Sequence, residues 1–183
     1  FPRGVDITPY REHFEVYDPD RKLGVQNWIA PSDDFEQNPY WITNRIRSKS
    51  LRNRVMASFT ADWKVNGWLR LKARGNVDYV NDKVRQKFYA STAPALAGAN
   101  GRYIESSYSE TLFNGELLAM FDKRLSPDWE FSATAGAGLN DRTVNSLRID
   151  SKTASLYFPN VFNVANIVMN GSAYVDEQID ARR

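Results

Sequence analysis

No cysteine occurs in the chain, which removes disulfide frameworks, thiolate metal sites and cysteine nucleophiles without separating cytosol from cell surface. Histidine is almost missing too. His13 is the only one, so a Ser-His-Asp arrangement or a multi-histidine metal site within the chain would have to be built around it. Its neighbours, Arg11-Glu12-His13-Phe14-Glu15, offer no such constellation, and His13 reads as a loop residue. A surplus of one charge sign is lacking as well: 24 Lys plus Arg stand against 22 Asp plus Glu, so no broad basic field gathers phosphates or anionic lipid. Nucleic acid is not an expected partner. No window approaches the ~20 consecutive apolar residues of a membrane-spanning helix, and the mean hydropathy is −0.54. That low average does not exclude a transmembrane barrel, whose strands need only ~9–11 residues with every second one apolar.

Other chemistry is thin. Asp18, Asp20 and Gly24 echo part of a calcium loop, but Lys22 takes a ligand position and no bidentate Glu follows at the required distance. Acidic pairs such as Asp33-Asp34, or Glu105 with Glu110, carry no fixed separation that would make them the acid and base of glycoside cleavage. Gly136 and Gly138 sit inside a strand pattern rather than at a strand-to-helix turn, so they make no phosphate loop. Asn170-Gly171-Ser172 matches the glycosylation pattern only by a short, frequent motif. No catalytic residue, cofactor or metal site is expected, and the chain is not read as an enzyme.

What the sequence does have is alternation. Residues 1–50 are interrupted by Pro2, Pro9, Pro19, Pro31 and Pro39 and read as loop. From Arg54 to Val65 the pattern changes: Val55, Ala57, Phe59, Ala61, Trp63 and Val65 share one face, and charged or polar residues share the other. Asn66-Gly67 follows, the dipeptide suited to a type I′ hairpin turn. The return run Leu69 to Tyr79 repeats the division. Ala90 to Ser106, with Pro94, Gly98 and Gly101, reads as a long loop. Ser109 to Lys123 alternates again, although GELLAMFDKRL also carries good helix formers and fits helical spacing. After the short turn Ser126-Pro127-Asp128, Trp129 to Asn140 alternates once more. The expected division is a loop region over 1–50, two β-hairpins over 51–143, and over 144–183 a further loop region with the start of more barrel. The short apolar patch Val161 to Met169 fits none of these patterns.

Alternation alone also describes a soluble sheet with one buried face. Three features favour a barrel in lipid. Short connections at Asn66-Gly67 and Ser126 to Asp128 alternate with long ones, the asymmetry of outer-membrane barrels. Trp63, Trp68, Phe121 and Trp129 lie near the short turns, where a membrane girdle of aromatics belongs. The middle of the apolar face is rich in Ala and Gly, whereas a soluble core is filled by larger side chains. The opposite face, with Arg70, Lys72, Arg74, Asp78, Glu116 and Asp122, would face a lumen.

NPYWITNRI at Asn38 to Ile46, RNRV at Arg52 to Val55 and WLRLKARGNVDYVND at Trp68 to Asp82, together with FPRGVDITPY at the start and NGELL at Asn114 to Leu118, resemble the SusC/RagA family of TonB-dependent outer-membrane receptors. The resemblance spans most of the chain up to about Asn166. It implies an all-β fold of antiparallel up-and-down strands, part of a plugged transmembrane barrel of about 22 strands with long extracellular loops. It also implies import of glycans or peptides across the outer membrane of a Gram-negative bacterium, with a SusD-like surface lipoprotein as lid and the TonB complex as energy source. The plug domain, the TonB-binding segment and a C-terminal closing strand of that family are not found here, and the chain, which begins at Phe1 without a basic or apolar leader, is expected to be cut from something longer. On this reading Phe1 to about Arg47 and about Ala90 to Ser106 are extracellular, and their exposed aromatics Trp28, Tyr40, Trp41, Tyr89 and Tyr103 are candidates to bind substrate or partner. The rival expectations are a soluble β-sandwich that binds carbohydrate and, with least support, a secreted hydrolase.

Overall fold

The computed structural model describes residues 4–29, 36–152, 154, 156–169 and 174–182, with the side chains of all of these except 174 and 180–182. Among the described residues strands hold 63% and helices 9%, so the protein is all-β and mostly antiparallel. In chain order the elements are α1 (Thr8–Glu12), β1 (Glu15–Asp18), β2 (Leu23–Gln26), α2 (Pro39–Arg45), β3 (Ile46–Lys64), β4 (Leu69–Phe88), β5 (Arg102–Ser126), β6 (Trp129–Asp150), a 3-10 turn (Val164–Asn166) and β7 (Tyr174–Arg182). A two-stranded hairpin pairs β1 with β2, and a five-stranded sheet runs in the order β3-β4-β5-β6-β7. That sheet does not close on itself.

The segment from Ser109 to Lys123 is strand, not helix. Its helix formers are overridden by ladder hydrogen bonds to neighbours on both sides, the usual way tertiary context defeats propensity. The strands outrun the alternation that announced them. β3 starts at Ile46, β4 continues to Phe88 and β6 to Asp150, through stretches such as Arg47-Ser48-Lys49-Ser50 where both faces are polar. Backbone pairing does not require an apolar face, so these extensions left no periodic signal. For the same reason β5 begins at Arg102, inside the expected loop.

The turn between β3 and β4 is also not the type expected. Neither Asn66 nor Gly67 has a positive φ, so this is not a type I′ turn. The Asn66 side chain instead accepts from the backbone N–H groups of Trp68 (3.0 Å) and Leu69 (2.9 Å), closing a four-residue loop.

The chain divides into two compact units. Unit 1 comprises Phe1–Leu51, Lys83–Ser107 and Leu147–Glu177; unit 2 comprises Arg52–Asp82, Tyr108–Ser146 and Gln178–Arg183. Within unit 1 the proline-broken N-terminal stretch is not simply loop. Pro39 opens α2, where its missing N–H costs nothing, and the Asn38 side chain caps it by accepting from the N–H of Tyr40 at 2.9 Å. The Asn38 amide donates to the carbonyl of Asn27 at 2.8 Å, and Gln26 donates from its side chain to the Ser91 carbonyl at 2.8 Å. Buried polar groups with partners of this kind fix one arrangement of the segment. Gly101 has φ +102 and an added Cβ would stand 2.5 Å from the Phe88 carbonyl oxygen, so only glycine fits where the chain turns into β5.

The unplaced patch Val161 to Met169 belongs to this unit. Ile167 packs with Tyr103 and Leu156 in a small core, with Ile149 and Phe162 against it. Asn166 holds the loop around that core, donating to the carbonyls of Phe158 (2.8 Å) and Val161 (2.7 Å) and accepting from the Phe158 N–H (2.9 Å). The Asn170-Gly171-Ser172 motif and Asp33-Asp34 lie outside the described residues.

Candidate functional site

The site is the pair of opposed faces of the sheet in unit 2. On one face the odd-numbered residues of β3 to β6 line two adjoining recesses of about 650 and 540 Å³. Ala57, Phe59, Ala61 and Trp63 come from β3, Leu71, Ala73, Gly75 and Val77 from β4, and Phe113, Leu117 and Ala119 from β5. Ala135, Ala137 and Leu139 come from β6. The large side chains here are bare: Phe59 is 65% exposed, Leu117 63% and Trp129 73%. Every residue classed as buried among the described residues belongs to unit 1, so this face is not the inside of a core that the described residues close.

The other face is a ladder of ion pairs and hydrogen bonds between neighbouring strands. Arg54 clasps Asp78 with two bonds of 2.9 and 2.6 Å, and Arg52 clasps Asp82 with two of 2.7 Å. Arg74 meets Glu116 at 3.5 Å, Arg70 meets Asp62 at 3.4 Å, and Arg142 donates to Glu110 at 2.6 Å. Tyr108 donates to the second oxygen of Glu110 at 2.7 Å. Ser132 donates to Asp122 at 2.7 Å, and the Asn140 amide donates to Asn114. Each guanidinium in these pairs has a carboxylate to hand, so the face is strongly polar with its charges locally balanced. Five of the six residues expected to face a lumen, Arg70, Arg74, Asp78, Glu116 and Asp122, join this ladder. Lys72 stands half-exposed between Leu71 and Ala73.

Near the short turns Trp68 stacks on Phe121 with ring centres 6.0 Å apart, and the Lys123 ammonium lies 5.8 Å from the Trp68 ring centre. Trp63 and Trp129 are exposed. The four residues named as a girdle are thus brought to the turn ends of their strands, two of them in direct contact.

The candidate aromatic binding residues of unit 1 are different from what was expected. Trp41 is 0% exposed and donates from its indole N–H to Thr92 Oγ1 at 3.2 Å. Trp28 is buried with its ring edge-on to Tyr10 at 5.0 Å. Tyr103 is buried against Leu156 and Ile167. These three were expected to be exposed, and that expectation is corrected: their rings are core. The proline-broken N-terminal segment orders itself by burying apolar surface, to which Trp28 and Trp41 contribute, and Tyr103 does the same at the start of β5. Tyr40 and Tyr89 are half-exposed, with Tyr89 held between Phe162 (5.0 Å) and the Arg45 guanidinium (5.2 Å). Among the described residues of unit 1 the exposed aromatics are Tyr17 and, passed over with it in sequence reading, the pair Tyr157 and Phe158. The signal available was their place beside an asparagine series, Asn160, Asn163 and Asn166, of the kind that folds loops onto their own backbone.

Unit 1 also holds a charged cluster that sequence gave no reason to connect. Asp150, almost buried, accepts two bonds of 2.8 Å from Arg102, one of 3.1 Å from Arg148 and one of 2.8 Å from the Lys152 N–H. Burial pushes its carboxyl up, but the Arg102 bonds, the Lys152 N–H and Arg148 outweigh it and hold the group down at about 2. Tyr103 is pushed up to about 12 by burial and by donating its hydroxyl to Glu105.

Among the described residues no three His, Cys, Asp or Glu side chains gather as metal ligands, and no helix is long and apolar enough to cross a membrane. The sequence matches no protein-family model and no curated protein. The functional reading therefore rests on the residues and their geometry.

Proposed function

We propose that this chain forms part of the wall of an outer-membrane β-barrel of the TonB-dependent, SusC/RagA-like kind, and that the complete barrel imports a glycan or peptide in concert with a SusD-like lipoprotein. The observation that carries this reading is the bare apolar face of unit 2 set back to back with a charge-balanced polar ladder. Soluble proteins rarely leave a continuous apolar patch of that extent in water, whereas a barrel wall needs one face for lipid and one for a watery or plugged lumen. The Ala and Gly content of the face agrees with this, because lipid chains conform to small side chains while a protein core must be filled by larger ones. Trp68, Phe121 and Trp129 then lie at the headgroup level, and the Arg-carboxylate ladder lines the lumen.

The absence of native cysteine makes the test clean. Single cysteines placed along the strands of the membrane-inserted protein are treated with a water-soluble maleimide. Ala61→Cys, Ala73→Cys and Leu117→Cys are expected to resist labelling in bilayers, while Asp62→Cys, Arg74→Cys and Glu116→Cys label readily. Equal labelling on both faces, or a chain that is monodisperse and unfolds cooperatively without detergent, would overturn the barrel reading in favour of a soluble β-domain.

A further inference from the structure

Resting on the lipid-facing reading above, we infer that the apolar groove of unit 2 seats one acyl chain of a phospholipid whose phosphate is held by Lys123. The face is not a flat wall. Its two recesses share Ala73, Leu117 and Ala137, so they run together into one groove, walled by Phe59 and Phe113 toward one end and by Trp63 toward the other. Small side chains on the floor beside large ones on the rim make a trough that a flexible hydrocarbon chain fills with many contacts at once.

The turn end of the groove has the complementary chemistry for a headgroup. Phe121 continues the apolar face of β5 beyond Leu117 and Ala119, Trp68 stacks on it, and the Lys123 ammonium sits over the Trp68 ring. A cation beside interfacial aromatics is suited to a phosphate that remains in the wet headgroup layer while its chain enters the groove. The dimensions agree. Leu117 is six residues along β5 from Lys123, about 20 Å of strand, which a barrel tilt of about 40° reduces to roughly 15 Å of depth, half of the ~30 Å hydrocarbon layer. Lys123 and the middle of the groove are therefore separated by one leaflet, the reach of one phospholipid.

The membrane-inserted protein, purified in mild detergent, is examined by native mass spectrometry and lipid-phosphorus assay with palmitoyl-oleoyl phosphatidylethanolamine as the probe. One retained phospholipid per chain is expected. Filling the groove with Ala119→Leu plus Ala137→Leu is expected to reduce retention about tenfold. Lys123→Gln, an exposed change that leaves the sheet intact, should reduce it about fivefold, and Lys123→Arg should restore it. Retention that is absent in the unaltered protein, or equal in all variants while the chain stays in the membrane, overturns this inference and leaves the barrel reading standing. Release of the unaltered chain from membranes by alkali overturns both.

Discussion

The two units of this protein invert the relation between sequence regularity and burial. Unit 2 has the most regular sequence in the chain, a period of two sustained over four strands, and yet none of its described residues is buried. Unit 1 is broken by prolines and has little periodicity, yet it contains every buried residue that the structure describes, from Trp41 and Leu156 to Asn38 and Ser151. Periodicity reports that a segment has two unlike faces. It does not report what covers either face. A core, by contrast, is assembled from side chains far apart in sequence, such as Trp41 with Thr92 or Tyr103 with Leu156, and shows no period at all.

The sharpest test of this contrast is to truncate one large side chain in each unit. Trp41→Ala is expected to cost about 3–5 kcal/mol in denaturant unfolding, since it empties a fully enclosed site and strips Thr92 of its partner. Phe59→Ala, on the bare face, is expected to change stability in detergent by far less. Equal losses would mean that the face of unit 2 is covered by protein after all. Next in size, Ala137→Arg is expected to destabilise the bilayer-inserted protein by about 2–4 kcal/mol, as a cation on a lipid face near mid-membrane does. Thr134→Arg, on the opposite face of the same strand, should be nearly silent in the same vesicle unfolding assay.

Acid provides a third test, confined to unit 1. The Asp150 carboxyl, held at about 2 in the folded chain, lies below the ordinary aspartate value near 3.9 of an unfolded chain. Its contribution is therefore complete above pH ~4 and is lost as pH falls toward and through 2, about 2 kcal/mol in all. Unfolding measured from pH 5 down to 2 should show this slope, and Asp150→Asn should remove that part of it. The smallest effect is expected on the ladder of unit 2. Arg54 and Asp78 form a well-shaped pair open to solvent, and a double-mutant cycle on them should give only the small coupling of a solvent-screened surface pair. A much larger coupling would indicate that this face is shut off from water.

The legible part of the fold was the part governed by local rules. The apolar sets Val55 to Trp63, Leu69 to Tyr79 and Trp129 to Leu139 lie in strands because alternation and β-geometry share the same repeat of two. The girdle candidates, too, could be placed near turns by counting along the chain. Counting failed at Asn66-Gly67, where the asparagine side chain, rather than two left-handed residues, makes the turn. It failed again at Trp28, Trp41 and Tyr103, because aromatic rings in sequence without an apolar period look alike whether they are buried or offered to a ligand.

The sequence by itself determined that the chain is a strand-dominated protein with one apolar and one charged face, and that it carries no cysteine or multi-histidine chemistry. Those properties follow from residue type and from spacing within a few residues. Tertiary structure alone decided that the strands run on through polar sequence and that Asp150 gathers Arg102, Arg148 and the Lys152 N–H. It alone decided that Trp41 closes on Thr92, and that within unit 1 Tyr157 and Phe158 stand exposed while Trp28 and Trp41 are buried. Each of these depends on which distant segments meet, and the free energy of such meetings depends on area removed from water and on polar groups finding partners, neither of which has a local pattern.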